Sequence, residues 1–89
     1  MDTREIIGWN LRRLRVAKGI SQERLALEAA IDRAYVGRVE RGEENVTVAT
    51  LEALANVLGE RVAELFVEPA KDAKPTPPLR AGRKRKPTA

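Results

Sequence analysis

The sequence of 89 residues contains no cysteine and no histidine, and it has one tryptophan, one tyrosine and one phenylalanine. Without thiols the chain forms no disulfide and no thiolate metal site, and without imidazoles the usual zinc sites and histidine-based catalysis are excluded too. No nucleophile–base arrangement and no glycine-rich phosphate loop occurs either. We therefore expect no metal, no cofactor, no catalytic residue and no small-molecule ligand.

Long hydrophobic runs are also missing. No stretch approaches the roughly 20 apolar residues that cross a membrane as a helix, and the N-terminus lacks the apolar core of a secretory signal. We expect a cytoplasmic protein without a membrane partner. A chain of this length has room for one small domain with a modest core.

Charge is distributed unevenly, so the net charge of +4 describes neither half of the chain. Met1 to Pro69 hold 10 Lys or Arg and 12 Asp or Glu, a net charge of −2. Ala70 to Ala89 hold 7 Lys or Arg and one Asp, a net charge of +6. Most arginines of the first part precede Gly42, whereas glutamates crowd its end. We expect the acidic end to face away from any polyanionic partner.

Local signals predict an all-α fold, a compact bundle of five helices. Apolar residues recur at helical spacing, and capping residues precede them. The predicted helices are Met1 to Lys18, a pair within Ser21 to Gly42, one from Thr47 to Gly59, and a short one from Glu60 to Glu68.

The composition changes after Pro69, where four prolines interrupt Lys, Ala, Thr and Gly and no periodicity remains. We divide the chain into a domain at 1–69 and a disordered, Pro-rich basic tail at 70–89. The basic cluster Arg83 to Lys86 is either a non-specific phosphate-binding arm or a solubilising tail without a partner.

The segment Ser21 to Gly42 predicts two short helices joined by a tight turn. Ser21 and Asp32 are the N-cap candidates, and Gly42 is placed to end the second helix. That helix presents two guanidinium groups and a phenol on its outer face, near its start. A short helix of this kind fits the major groove of DNA.

Three motifs give these helices a family resemblance: G-I-S-Q-x-x-L-A at Gly19 to Ala26, Y-V-x-x-V-E-R-G at Tyr35 to Gly42, and T-L-x-x-L-A-x-x-L-G at Thr50 to Gly59. In order and spacing they resemble the helix-turn-helix of the phage Cro and repressor family, the XRE-type regulators of bacteria and phages. The run D-R-x-Y-V at Asp32 to Val36 is most similar to the controller proteins of restriction-modification systems.

The resemblance implies a sequence-specific transcriptional regulator, associated with the nucleoid, that binds double-stranded DNA as a homodimer on an inverted repeat. It also implies a partly buried ion pair between Arg15 and Glu40. The expected base contacts are Arg33, Ala34, Tyr35 and Arg38, the expected phosphate contacts are Gln22, Arg41 and Asn45, and the expected dimer contacts are Val62, Phe66 and Val67.

Alternatives remain at this point. The Tyr35 ring can pack within the domain instead of contacting DNA, and the fold also serves as a protein-interaction or antitoxin-like module. Two departures from the family pattern bear on the outcome. Ala30 stands where the turn most often has glycine, and the adjacent Glu43 and Glu44 would repel phosphate in a loop that usually approaches it.

Overall fold

The computed structural model of the chain describes residues 1–79, and within them it has four α-helices, one 3₁₀ helix and no strand. The helices are α1 (Thr3–Ala17), α2 (Gln22–Ala29), α3 (Arg33–Glu40) and α4 (Val48–Leu58), followed by the 3₁₀ helix Val62–Phe66. None of the described helices is long and apolar enough to cross a membrane. The all-α prediction is confirmed, whereas the basic cluster at 83–86 lies outside the described residues.

The prediction of a fifth α-helix over Glu60 to Glu68 is wrong. Gly59 ends α4 in the left-handed conformation with φ 67°, and Val67 is extended. Arg61, the residue before the 3₁₀ helix, makes no side-chain capping bond. The segment between the two breaks holds five helical residues, which is too short for stable α-helical hydrogen bonding, and it takes up the tighter 3₁₀ form.

Side-chain caps define the starts of three helices. Asp2 and Glu5 form a reciprocal capping box, in which Glu5 N donates to Asp2 Oδ1 at 2.9 Å and Asp2 N donates to Glu5 Oε1 at 2.8 Å. Ser21 Oγ and Thr47 Oγ1 each accept from the backbone N–H three residues later. Asp32 holds the N-cap position of α3, but its side chain makes no capping bond.

The turn between α2 and α3 passes through Ala30 in the left-handed conformation, with φ 60° and ψ 42°. Ile31 N donates to Ala26 O at 3.0 Å, which closes the end of α2. An alanine here costs about 1–2 kcal/mol compared with a right-handed conformation. The packing of Ile31 and Ala29 against the core stabilises the turn in compensation.

The core lies between all five elements and consists of aliphatic side chains. Its fully buried members are Leu11, Leu25, Val36, Val39, Leu54, Leu58 and Leu65. Asn10 is a buried polar residue whose amide group donates to Leu65 O at 3.1 Å and to Val67 O at 2.7 Å. These bonds attach the end of the 3₁₀ helix to α1, since each buried polar group needs a partner.

Gly8 lets α1 approach the end of α3 closely. A Cβ added at Gly8 would lie 2.5 Å from Val39 O and 2.6 Å from Glu40 O, both backbone atoms. No larger residue fits between these backbones without a shift. The contact positions the C-terminal end of α3 relative to α1.

Candidate nucleic-acid interface

A buried polar network holds α3 against α1 and α2. Arg15 Nε donates to Glu40 Oε2 at 2.6 Å and Arg15 Nη2 to Glu40 Oε1 at 3.1 Å, while Arg15 Nη1 donates to Ile20 O at 3.0 Å. The two side chains are only 6% and 2% exposed. Gln22 Nε2 donates to Glu40 Oε1 at 2.9 Å and brings the start of α2 into the same network. One carboxylate therefore links three helices.

The outer face of α3 forms one wall of an open cleft of about 300 Å³. The residues lining it are Gln22, Arg33, Ala34, Gly37, Arg38 and Arg41. Gly37 leaves room for this arrangement, because an added Cβ would lie 3.2 Å from the Arg41 guanidinium. The cleft brings together five of the seven residues predicted to contact DNA, and three of them are arginines. Such a surface is suited to a polyanion.

Tyr35 lies outside this cleft, on the neighbouring side of α3. Its ring is half-buried and packs against the core, as the alternative interpretation of the sequence allowed. It lines a second shallow cleft together with Ile31, Asp32, Arg38 and Thr50. The Arg38 guanidinium stands 5.7 Å from the ring centroid, within the range of a cation–π contact. Arg38 is thus shared by both clefts.

The two glutamates after α3 fold back onto its arginines. Arg38 Nε donates to Glu44 Oε2 at 2.6 Å, and Arg41 Nε donates to Glu43 Oε1 at 3.3 Å. The hydrogen bond to Glu44 raises the pKa of the Arg38 guanidinium above its ordinary value, at which an arginine is already charged near neutral pH. Arg33, by contrast, is exposed and has no ion pair within residues 1–79.

The other predicted contact residues lie away from the cleft. Asn45 is exposed in the loop before α4 and lines neither cleft. Val62 is half-buried against the core, whereas Phe66 and Val67 remain 43% and 47% exposed. The last two form an apolar patch at the end of the 3₁₀ helix.

Sequence reasoning did not predict three features of the site. It gave Asn10 and Gly8 no role, although both fix elements that carry the site, and it treated the two glutamates only as repelling phosphate. Glu44 is six residues from Arg38, a separation for which helical periodicity gives no rule. The sequence feature that indicates a turn here is Gly42, which the structure places in the left-handed conformation at φ 76°.

The chain is similar to known helix-turn-helix proteins. The helix-turn-helix family HTH_3 matches residues 11–65. A protein described as a hypothetical transcription factor from Neisseria meningitidis serogroup B is 40% identical over 68 residues, which span 76% of this chain and 64% of that protein. Control protein C.SmaI from Serratia marcescens is 45% identical over 66 residues, covering 74% of this chain and 79% of its own length.

A solved structure gives the same result for the fold. The restriction-modification controller protein C.AhdI from Aeromonas hydrophila superposes with a TM-score of 0.69 at 48% identity, over 71% of this chain and 96% of that one. The family match covers more than half of the chain and includes all six residues that line the cleft. The chain belongs to the helix-turn-helix family of DNA-binding transcriptional regulators.

Proposed function

We propose that the protein regulates transcription by binding a specific DNA sequence with α3 in the major groove. One observation carries this proposal: Arg33 and Arg38 of α3 share a single cleft with Gln22 and Arg41, and the C-terminal end of α3 is held by a buried ion pair. A rigid helix with a basic outer face can enter the groove without losing much conformational freedom.

Base recognition is assigned to Arg33, Ala34 and Arg38, with Tyr35 at the edge of the contact. An arginine can donate two hydrogen bonds to O6 and N7 of guanine, and each such pair contributes about 1–3 kcal/mol of discrimination. Ala34 is small and exposed, which suits contact with a thymine methyl group. The Tyr35 hydroxyl is a candidate donor to the sugar–phosphate backbone.

Phosphate contacts are assigned to Gln22, Arg41 and Asn45. Gln22 is the first residue of α2, where backbone N–H groups and the helix dipole favour an anion. Its side-chain amide has one donor bonded to Glu40 and a second N–H available. Arg41 is exposed at the end of α3, and Asn45 is exposed in the following loop. These contacts would fix the orientation of α3 without reading the sequence.

The active form is proposed to be a homodimer that uses Val62, Phe66 and Val67. A two-fold dimer reads an inverted repeat whose half-sites lie about one helical turn apart, because the operator must share the symmetry of the protein. The exposed patch of Phe66 and Val67 supports this assignment. We place the protein in the cytoplasm, at the nucleoid, and propose no ligand and no catalytic activity.

The test is selection from random duplex DNA with the full-length chain, read by sequencing at near-physiological salt. We expect a palindromic motif with guanines at the positions that Arg33 and Arg38 face. Arg33→Ala should remove the preference at one position of each half-site and leave the other positions unchanged.

The opposite result would be enrichment of no sequence. In that case the basic face would serve only non-specific binding, or the domain would act as a protein-interaction module through the apolar patch. Titration with random duplex at two salt concentrations separates these cases, because non-specific phosphate binding weakens steeply as salt rises.

A further inference from the structure

The loop that follows α3 is built to place a carboxylate beside Arg38. Gly42 adopts φ 76°, and Glu43 N donates to Arg38 O at 2.9 Å, so the backbone reverses over the last turn of the helix. This reversal brings Glu44 next to a side chain six residues earlier. The backbone therefore brings the two residues close together, and their partly exposed side chains make the contact.

The Glu44–Arg38 pair differs from its neighbour in exposure and geometry. Arg38 and Glu44 side chains are 41% and 25% exposed, and their bond is 2.6 Å long. Arg41 and Glu43 are 60% and 53% exposed, and their bond is 3.3 Å long. Exposed pairs with long bonds are weak and mobile, whereas shorter and more buried ones fix a side chain.

The hydrogen bond to Glu44 leaves the two terminal amino groups of Arg38 available for other contacts. Glu44 accepts from Nε of Arg38, and within residues 1–79 the two terminal amino groups of Arg38 donate no hydrogen bond. On the other side the guanidinium lies near the Tyr35 ring. With its Nε edge occupied, Arg38 can approach a base only through Nη1 and Nη2, which is one of the two ways an arginine can meet guanine.

We propose that Glu44 is a positioning residue that determines sequence specificity. It holds Arg38 by Nε so that the two terminal amino groups face one guanine, and its negative charge disfavours complexes in which the same guanidinium contacts phosphate. This inference rests on the proposed DNA-binding function and assigns a role to a residue that sequence reasoning counted as unfavourable. Its consequence is a larger ratio of specific to non-specific affinity.

The experiment measures base preference and random-DNA affinity for the full-length wild type, Glu44→Ala, Glu44→Gln and the control Glu43→Ala. We expect Glu44→Ala to reduce the preference for guanine at the Arg38 position severalfold, by at most the roughly 5- to 150-fold that a bidentate pair provides. Its affinity for random duplex should rise. Glu43→Ala should raise affinity for all sequences by the same factor and leave base preference unchanged.

Glu44→Gln separates the two parts of the proposal, since glutamine retains an oxygen that can accept from Nε but carries no charge. It should keep the guanine preference and gain affinity for random duplex. It also matches glutamate in size, and thermal unfolding of each variant checks that the fold is retained. The double variant Arg38→Ala/Glu44→Ala should show the base preference of Arg38→Ala alone, because Glu44 acts through Arg38.

Several results would overturn the proposal. Unchanged base preference in Glu44→Ala would show that Glu44 is surface charge alone. A further loss in the double variant beyond that of Arg38→Ala would show that Glu44 acts independently of Arg38. A wild-type chain that enriches no sequence would instead overturn the proposed function, and this inference with it. If the wild type binds a specific sequence and Glu44→Ala has the same base preference, the inference is rejected and the proposed function is retained.

Discussion

Gly8 is a single residue on which the position of α3 depends. The carbonyl oxygens of Val39 and Glu40 occupy the space where any other residue would place its Cβ. The site lies in the interior of α1, so the helix would otherwise gain about 1 kcal/mol from alanine. Here the steric conflict is with backbone, which cannot move aside as a flexible side chain can.

We predict that Gly8→Ala lowers the free energy of unfolding by about 1–3 kcal/mol, the usual cost of overpacking. Urea unfolding followed by circular dichroism measures this change. Gly37→Ala is the matched control, because Gly37 is also a mid-helix glycine but an added Cβ there meets only the ends of the Arg41 and Gln22 side chains. It should be neutral or stabilising by up to about 1 kcal/mol. Equal destabilisation of both variants would show that the close approach at Gly8 is unimportant.

For single residues, the sequence predicts roles that depend on residues nearby in the chain. Ser21 and Thr47 were recognisable as caps, and Ala30 as a strained turn residue, because each is judged against the residues within one turn. Gly8 and Asn10 could not be recognised in this way. Their partners, Val39 and Leu65, are distant in sequence. Glycine and asparagine have low helix propensity, which does not explain why Gly8 and Asn10 occur within α1.

Among the elements, α3 is the one whose placement decides the site. Its C-terminal end is attached to α1 through Glu40 and Arg15 and to α2 through Gln22. The ion pair is almost fully shielded from solvent, so removing one partner leaves the other charge buried and unpaired. Replacing both partners of a buried ion pair by apolar residues of similar size is often neutral, so the large cost arises when only one partner is removed.

Arg15→Ala is accordingly expected to cost about 3–5 kcal/mol of unfolding free energy, a large part of the stability of a domain of this size. The comparison is Arg24→Ala, which removes an exposed ion pair with Glu28 on α2 and should cost at most about 0.5 kcal/mol. Thermal unfolding of both variants decides the matter. Similar unfolding midpoints for the two variants would show that the buried Arg15–Glu40 pair contributes no more to stability than the exposed Arg24–Glu28 pair.

The elements were predicted well where periodicity and caps agreed. Helices α1 to α4 follow from their apolar spacing and from capping residues such as Ser21, and their predicted ends lie within a residue or two of those in the structure. The last segment was predicted as an α-helix because Val62, Leu65 and Phe66 fit a helical period. Apolar periodicity does not show how many residues can be helical. Between Gly59 and the extended Val67 the segment is too short for an α-helix.

At the scale of the whole molecule, the proposed dimer depends on a small apolar patch. Phe66 and Val67 are exposed together at the end of the 3₁₀ helix, held there by the bond from Asn10 to Val67 O. Exposed aromatic and β-branched residues side by side favour association, whereas isolated ones are common on monomer surfaces.

We predict that Phe66→Ser shifts the full-length protein from dimer toward monomer in sedimentation at micromolar concentration, by at least tenfold in the dissociation constant. Loss of one buried aromatic side chain from each partner accounts for an effect of this size. Leu27→Ser serves as the control, since Leu27 is 75% exposed on α2 and lies outside the patch. A wild-type chain that sediments as a monomer, or identical shifts in both variants, would contradict this assignment of the dimer surface.

Asn10 gives the molecule a mechanical property that bears on the operator. Its amide ties Val67 to α1, and α1 in turn meets the end of α3 across Gly8, so the patch and the helix proposed to face DNA belong to one stiff body. In the proposed dimer, two such bodies have a fixed span and a fixed relative rotation. Adding one base pair between half-sites moves them apart by about 3.4 Å and turns one by about 35°. The continuous helix α1 has no hinge that could absorb such a change. We therefore expect affinity for the operator to depend on spacer length as strongly as on base sequence.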